Sequence, residues 1–220
     1  MSRLLSRFAS RLDSWLFGGP FEGALARRYA RVYRPGFGDL DRRLLERWQG
    51  ELATATTVLD LGSGPGHLAC QLGQSCPDAT IIAVEPSGDF PGAAGRAHSI
   101  RARAEALPLA DRSIDVAICL SSIRHIADRG AALGELRRVV APGGVAFIVE
   151  LDPRASRQRI RNHSRSLRSL RGRATFGPLC VRLAPDAADI ASTARRVGWA
   201  QIAITADRDQ PVFIMRLAQG

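Results

Sequence analysis

Lysine is absent from this 220-residue chain: all 31 of its basic residues are arginine. So uniform a choice points to the codon composition of a GC-rich, bacterial genome, and arginine is informative only through its placement. Long apolar runs are also missing. None approaches the ~20 residues that a membrane-spanning helix needs, which excludes an integral helical membrane protein. Cysteine is sparse, and Cys70, Cys76, Cys119 and Cys180 form no C-x-x-C pair and no zinc-like Cys/His spacing. No metal is expected, and the thiols read as buried apolar groups in a reducing cytoplasm. Arg7, Arg11 and Asp13 interrupt the first apolar residues, which argues against a secretory signal peptide, although an arginine- and serine-rich start also resembles an organelle transit peptide. Aromatics make up only 6% of the chain, and most of those before residue 50 cluster as Phe17, Phe21, Tyr29, Tyr33, Phe37 and Trp48.

What the chain does have is one organising stretch, Val58-Leu59-Asp60-Leu61-Gly62-Ser63-Gly64-Pro65-Gly66-His67-Leu68-Ala69. An aliphatic run closes on an acid, three alternating glycines follow, and an apolar pattern resumes: strand, tight turn, helix. Glycine permits positive φ and close ligand approach, and the helix beginning near Gly66 directs its free N–H groups at the turn. The residues alone read as a nucleotide-cofactor loop or as a ligand-free glycine turn. The spacing D-x-G-x-G-x-G is one residue tighter than the G-x-G-x-x-G of dinucleotide sites.

From residue 56 onward strand and helix patterns alternate, which predicts βαβ units on a parallel sheet. Thr57–Leu61 is the first strand, and Thr80–Glu85 the second, ending in Glu85, 19 residues after Gly66, where nucleotide-binding α/β folds place a ribose-binding carboxylate. The Val116–Leu120 strand runs into Ser121-Ser122-Ile123-Arg124-His125, and Ala141-Pro142-Gly143-Gly144 turns a helix into the Val145–Glu150 strand. Pro185–Val197 reads as a helix, followed by strands Ala200–Thr205 and Val212–Leu217.

The tight glycine loop, the A-E-A-L-P-L turn (residues 104–109) followed by S-I-D-V-A-I-C, and the P-G-G turn resemble class I S-adenosylmethionine (SAM) methyltransferases, in particular those of ubiquinone and menaquinone biosynthesis. The resemblance covers residues 57–153. It implies a doubly wound, Rossmann-like α/β fold: a seven-stranded sheet, mostly parallel, with a C-terminal antiparallel hairpin and an N-terminal helical extension. Within one domain, residues 1–50 would form the extension or lid, 51–151 the cofactor-binding half, and 152–220 a basic variable segment with the closing helix and hairpin. The implied cofactor is SAM. Its contacts would be Gly62, Ser63, Gly64 and Gly66 of the loop, Asp60 at the methionine amino group, Glu85 at the ribose, Leu120 and Ser121 on the far side, and Ala104 and Glu105 at the adenine. Many members carry an acid in place of Arg103 that accepts from the adenine amino group. An arginine cannot do so, which shifts that contact to the backbone of residues 104 and 105 or to the Glu105 side chain.

His125 lies on a loop at the carboxyl end of a parallel strand, and an imidazole with an ordinary pKa of ~6.5 suits proton removal from a hydroxyl or phenol near neutrality. It is the candidate catalytic base, or else a helix-start histidine that only orients its surroundings. Arg124, Tyr29 and Tyr33 are candidate substrate contacts. Residues 1–17 form a basic amphipathic pattern, either a core cap or a foot on an anionic membrane. Between Arg154 and Arg173 stand eight arginines and no acid, +8 of the chain's net +10. That segment suits an anionic small substrate, a membrane surface or RNA, or is a solvated face. RNA binding to single strands wants stacking aromatics beside the charge, and only Phe176 is near. The expectation is therefore a cytoplasmic methyltransferase, peripheral on a membrane at most, acting on an apolar, aromatic or lipid-like small molecule. An RNA methyltransferase or a SAM-binding protein without activity are the alternatives.

Overall fold

The computed structural model describes residues 23–30, 37–90, 92, 95–167 and 170–220. The N-terminal amphipathic stretch 1–17, with Phe17, Phe21 and Tyr33, lies outside them, and only the backbone of Tyr29 is described. The order is α1 (Gly23–Ala30), α2 (Leu40–Arg47), α3 (Gln49–Thr54), β1 (Thr57–Leu61), α4 (His67–Ser75), β2 (Thr80–Val84), β3 (His98–Ile100), β4 (Ile114–Leu120), a 3-10 turn (Ile123–His125), α5 (Arg129–Val139), β5 (Val140–Leu151), α6 (Arg157–Ser166), α7 (Leu170–Thr175), a π-helical segment (Phe176–Val181), α8 (Ala187–Arg196), β6 (Gln201–Ala206) and β7 (Val212–Ala218).

The strands form one seven-stranded sheet, ordered β3-β2-β1-β4-β5-β7-β6. The first five pair in parallel, whereas β7 runs antiparallel to both β5 and β6. This is the doubly wound fold anticipated, with its order reversing between β1 and β4. In open α/β sheets a crevice opens at that reversal, beyond the carboxyl ends of the strands.

Alternation along β5 shows why the sheet needs helices on both faces. Val145, Phe147, Val149 and Leu151 belong to one core with α2, α3 and α4, while Ala146 and Ile148 face the other, built on α5 and α8. Trp48 is buried and stacks on Phe147 at a ring-centroid distance of 4.2 Å. It serves the core rather than a lid over substrate. Helix starts follow their caps: the side chains of Asp128, Ser156 and Asp186 accept from the N–H groups of Ala131, Arg159 and Ala188. One boundary differs from the sequence expectation. The P-G-G residues fall within β5, where the pairing jumps from Ile114↔Val140 to Val116↔Val145, so the turn is a bulge in a longer strand.

Candidate functional site

The glycine loop folds back onto the end of β2, where the Val84 carbonyl accepts from the N–H groups of both Gly62 (2.8 Å) and Ser63 (3.1 Å). Gly62 has φ +70°, and a Cβ there would lie 2.5 Å from the Cβ of Ser122, so only glycine lets the loop reach the β4 edge. Gly66 has φ +79° and caps α4. At the opposite wall Ser121, a non-glycine residue, also takes positive φ (+56°), with its N–H bonded to the Val149 carbonyl. Such backbone strain at a strand end marks positions where sites are built.

These segments enclose a cavity lined by Asp60, Gly62, Ser63, Gly64, Glu85, Ala104, Glu105, Leu120, Ser121 and His125, among others. Nine sequence-predicted cofactor contacts and the candidate base therefore converge. Gly66, the tenth, is buried just beneath as the helix cap and does not line the space. Residues not singled out from the sequence also line it, notably Phe90, Ser122 and His67. No pattern in the sequence marks Phe90, which approaches Gly64 from the loop after β2.

In a chain of net charge +10, this cavity carries three carboxylates, Asp60, Glu85 and Glu105. Glu85 is the most telling. Its Oε2 accepts from the Gly64 N–H and its Oε1 from the Ser87 N–H, both at 2.9 Å. Burial pushes its carboxyl above the ordinary range, and the two backbone donors only partly offset that. Asp60, at the end of β1, is 2% exposed. Glu105 accepts from Arg103 (3.1 Å) and from the Asp128 N–H (3.3 Å). Burial raises its pKa, but the Glu105 and Asp128 amides and Arg103 together hold it below the usual value. Arg103 thus braces Glu105, and the turn as a whole is clamped to α5. Glu135 accepts from the Leu107 N–H at 2.7 Å, and Arg138 donates to the Leu107 and Leu109 carbonyls at 2.9 and 2.8 Å. The opposite charges three residues apart on a predicted helix were the available signal for that clamp.

One expected contact lies elsewhere. Arg124 is buried at 5% exposure and does not line the cavity; its guanidinium donates to the Cys180 carbonyl at 2.9 Å, tying the His125 turn to the π-helical segment. Phe37, one of the clustered N-terminal aromatics, packs edge-on against His163 at 4.6 Å.

The arginine segment becomes α6 and most of α7. Arg154 pairs with Asp186 (2.8 Å), Arg159 donates to the Asp207 carbonyl (2.7 Å), and Arg173 to the Leu167 carbonyl (2.8 Å). Arg157, Arg161 and Arg165 stand exposed at four-residue spacing along α6. Phe176 is buried and stacked on His163 at 4.1 Å, unavailable to a nucleic-acid base. Among the described residues no helix is long and apolar enough to cross a membrane.

Comparison with known proteins agrees with this geometry. Residues 59–148 match the family model described as a methyltransferase domain. The ubiquinone/menaquinone biosynthesis C-methyltransferase UbiE of Syntrophotalea carbinolica is 33% identical over 141 residues, 60% of either chain. An uncharacterized methyltransferase of Mycobacterium ulcerans is 33% identical over 128 residues, 54% of this chain and 49% of its own. The chain spans about half the length of the curated relatives it matches. Among solved structures, a protein assigned to the SAM-dependent methyltransferases from Methanococcus maripaludis superposes with a TM-score of 0.71 at 18% identity, covering 90% of this chain and 94% of its own. A SAM-dependent methyltransferase from Mesorhizobium loti gives 0.59 at 14% identity, covering 83% and 99%. At such identities these likenesses speak for the fold.

Proposed function

We propose that this chain, which carries a class I SAM-dependent methyltransferase domain, transfers a methyl group to a small-molecule acceptor of apolar, aromatic or lipid-like character. The observation that carries the reading is a glycine-cradled cavity lined by three carboxylates in a protein of net charge +10. A ligand bearing an ammonium and a sulfonium suits such a lining electrostatically. Gly62, Ser63 and Gly64 let the backbone approach it, and Gly66 opens the helix below. Asp60 holds its amino group and Glu85 its ribose hydroxyls. Ala104 and Glu105 flank the adenine, with Leu120 and Ser121 on the far wall.

When bound, the cofactor supplies a methyl group already activated on positively charged sulfur, so the protein's task is chiefly positioning. His125, on the rim beside Ser121 and Ser122, takes the proton from an acceptor hydroxyl or phenol. Arg124 holds the His125 turn against the π-helical segment rather than touching the acceptor. Tyr29 and Tyr33 are the candidate acceptor contacts that the sequence offers, Tyr33 lying outside the described residues.

An anionic membrane surface is where a lipid-like acceptor is met. The exposed row Arg157, Arg161 and Arg165 supports this, as do the exposed Leu170 (80%) of α7 and Leu179 (46%) of the π-helical segment. RNA is the weaker reading, because the one neighbouring aromatic is stacked inside the core. The test is incubation with methyl-labelled SAM and fractionated bacterial extract. Label entering a small molecule or lipid supports the proposal. Label in RNA reassigns the acceptor, and cofactor binding without any labelled product marks a non-catalytic binder. Flotation with anionic liposomes, comparing intact protein with one lacking residues 1–17 and with an Arg157→Ala/Arg161→Ala/Arg165→Ala variant, tests the membrane contact; negligible binding by all three removes it.

A further inference from the structure

We infer that Asp89 is a positioning residue that couples occupancy of the cofactor cavity to the seating of helix α1. The inference rests on the cofactor reading of Glu85. Starting at the cavity, Glu85 accepts from the Gly64 N–H on one oxygen and from the Ser87 N–H on the other, each at 2.9 Å. Ser87 is 5% exposed, and its hydroxyl oxygen accepts from the Asp89 N–H at 3.2 Å. Asp89 then reaches across the chain. Its Oδ2 accepts from the Gly23 N–H at 2.6 Å and its Oδ1 from Arg27 Nη1 at 2.5 Å.

Gly23 is the first residue of α1 and Arg27 lies one turn on. A helix start leaves N–H groups without intrahelical partners and carries partial positive charge, so a carboxylate there satisfies both needs. Asp89 is thus a cap lent by a segment 66 residues away in sequence. The Gly23 amide foremost, then Arg27 with Arg101 nearby, holds its carboxyl below the ordinary aspartate range, so it stays charged at neutral pH. Ala26 of α1 is fully buried, so the helix is packed as well as capped, and Asp89 supplies the polar contact at its start.

The segment from 85 to 90 therefore has two jobs. Glu85 and Phe90 line the cavity, and Asp89, between them, holds the helix. A hydroxyl bound at Glu85 redistributes the carboxylate's bonds to Gly64 and Ser87, and the shift passes through the Ser87 hydroxyl to Asp89. Filling the cavity first and closing α1 second makes the acceptor side form on a loaded enzyme. Such coupling is reciprocal, so a well-seated α1 also tightens cofactor binding.

The experiment is limited trypsin proteolysis of the full chain, following cleavage after Arg27 and Arg28 with and without saturating SAM, alongside calorimetric SAM binding and a melting curve. In the wild type SAM slows this cleavage at least threefold. Asp89→Ala is cleaved faster than wild type even without SAM, and SAM no longer slows the cut although it still binds. Asp89→Asn, which keeps an acceptor for Gly23 and drops the charge facing Arg27, falls between. If Asp89→Ala without SAM is cut at the wild-type rate, Asp89 is not the seat. If it is cut faster yet keeps the full protection ratio, Asp89 is only structural and the coupling is wrong. SAM that binds wild type without protecting it also overturns the coupling. Failure of wild type to bind SAM refutes the cofactor reading itself, and the cofactor-free comparison then still judges the seat.

Discussion

Replacing Glu85 by glutamine separates cofactor binding from folding, because the first should weaken markedly while the second stays nearly constant. Glu85 holds two backbone N–H groups, of Gly64 and Ser87, and in the proposed complex accepts ribose hydroxyls as well. A hydrogen bond to a charged acceptor contributes about 1.5–3 kcal/mol, and each ~1.4 kcal/mol is tenfold in affinity. Glutamine keeps one carbonyl oxygen but turns an NH2 toward a backbone donor, so SAM affinity should fall between about tenfold and a hundredfold. Stability follows another balance. Burial already works against the charged form of Glu85, and a neutral side chain is spared that cost, which offsets the lost bond and leaves stability within about 1 kcal/mol of wild type. Isothermal calorimetry and urea unfolding measure the two quantities. Affinity within threefold of wild type, in a protein that folds normally, would refute the role given to Glu85. The same carboxyl predicts opposite pH trends. Its folded pKa lies above the unfolded one, so the contribution of Glu85 to the stability of the cofactor-free protein becomes more favourable as pH falls through that window, while SAM affinity drops as the carboxylate acquires its proton.

Gly62→Ala should destabilise the protein by at least about 1–2 kcal/mol, the cost of a left-handed conformation for an L-residue, with the overlap against Ser122 added. Ser122→Gly in the same chain should recover part of the loss in urea unfolding, and no recovery would disprove the stated contact. Arg138→Ala should loosen the 104–109 turn, lowering stability by about 1–3 kcal/mol through its lost charged hydrogen bonds and weakening SAM binding with it. A drop in stability with unchanged affinity would show that the turn does not touch the cofactor. His163 makes the region of α6 acid-sensitive. Burial holds its pKa below the ordinary value against the bond to Gln210, so the unfolded chain takes up a proton before the folded one does. Stability is then lost as pH falls from about 6.5 toward the depressed folded value. Melting temperatures at pH 7.5 and 5.5 should diverge more in wild type than in His163→Phe, and equal divergence would count against it.

The fold was legible because its signals are local. Period-2 alternation on β5, Asp128 and Asp186 before helices, and glycines where φ must be positive each act within a few residues. The same holds for the cavity floor, since Asp60, the glycine turn and Glu85 sit at consecutive carboxyl ends of β1 and β2. What was not legible depends on chain segments far apart in sequence. Nothing near Arg124 announces that its guanidinium meets a carbonyl 56 residues later, and an arginine on a catalytic-side loop reads naturally as a substrate contact. The ring that Trp48 stacks on is likewise distant, since β5 supplies Phe147. Phe90 and Asp89 lie in a loop with no periodic pattern, so their roles emerge only when α1 and the glycine turn arrive from elsewhere.

Charge is sorted in space in a way its total conceals. The acids near the cofactor cavity face inward, and Arg103, the arginine lining it, is drawn onto Glu105. Arg157, Arg161 and Arg165 of α6 are exposed, Arg159 donates to the Asp207 carbonyl between β6 and β7, and Arg154, ahead of the helix, pairs with Asp186. Between the two regions runs a neutral seam: His163 stacked on Phe176, edged by Phe37 and bonded to Gln210 at 2.7 Å. Arg124 crosses from the His125 turn to the far end of the π-helical segment that Phe176 begins. The helix bearing the exposed arginine row is therefore joined through His163, Phe176 and the Cys180 carbonyl to the turn bearing the candidate base.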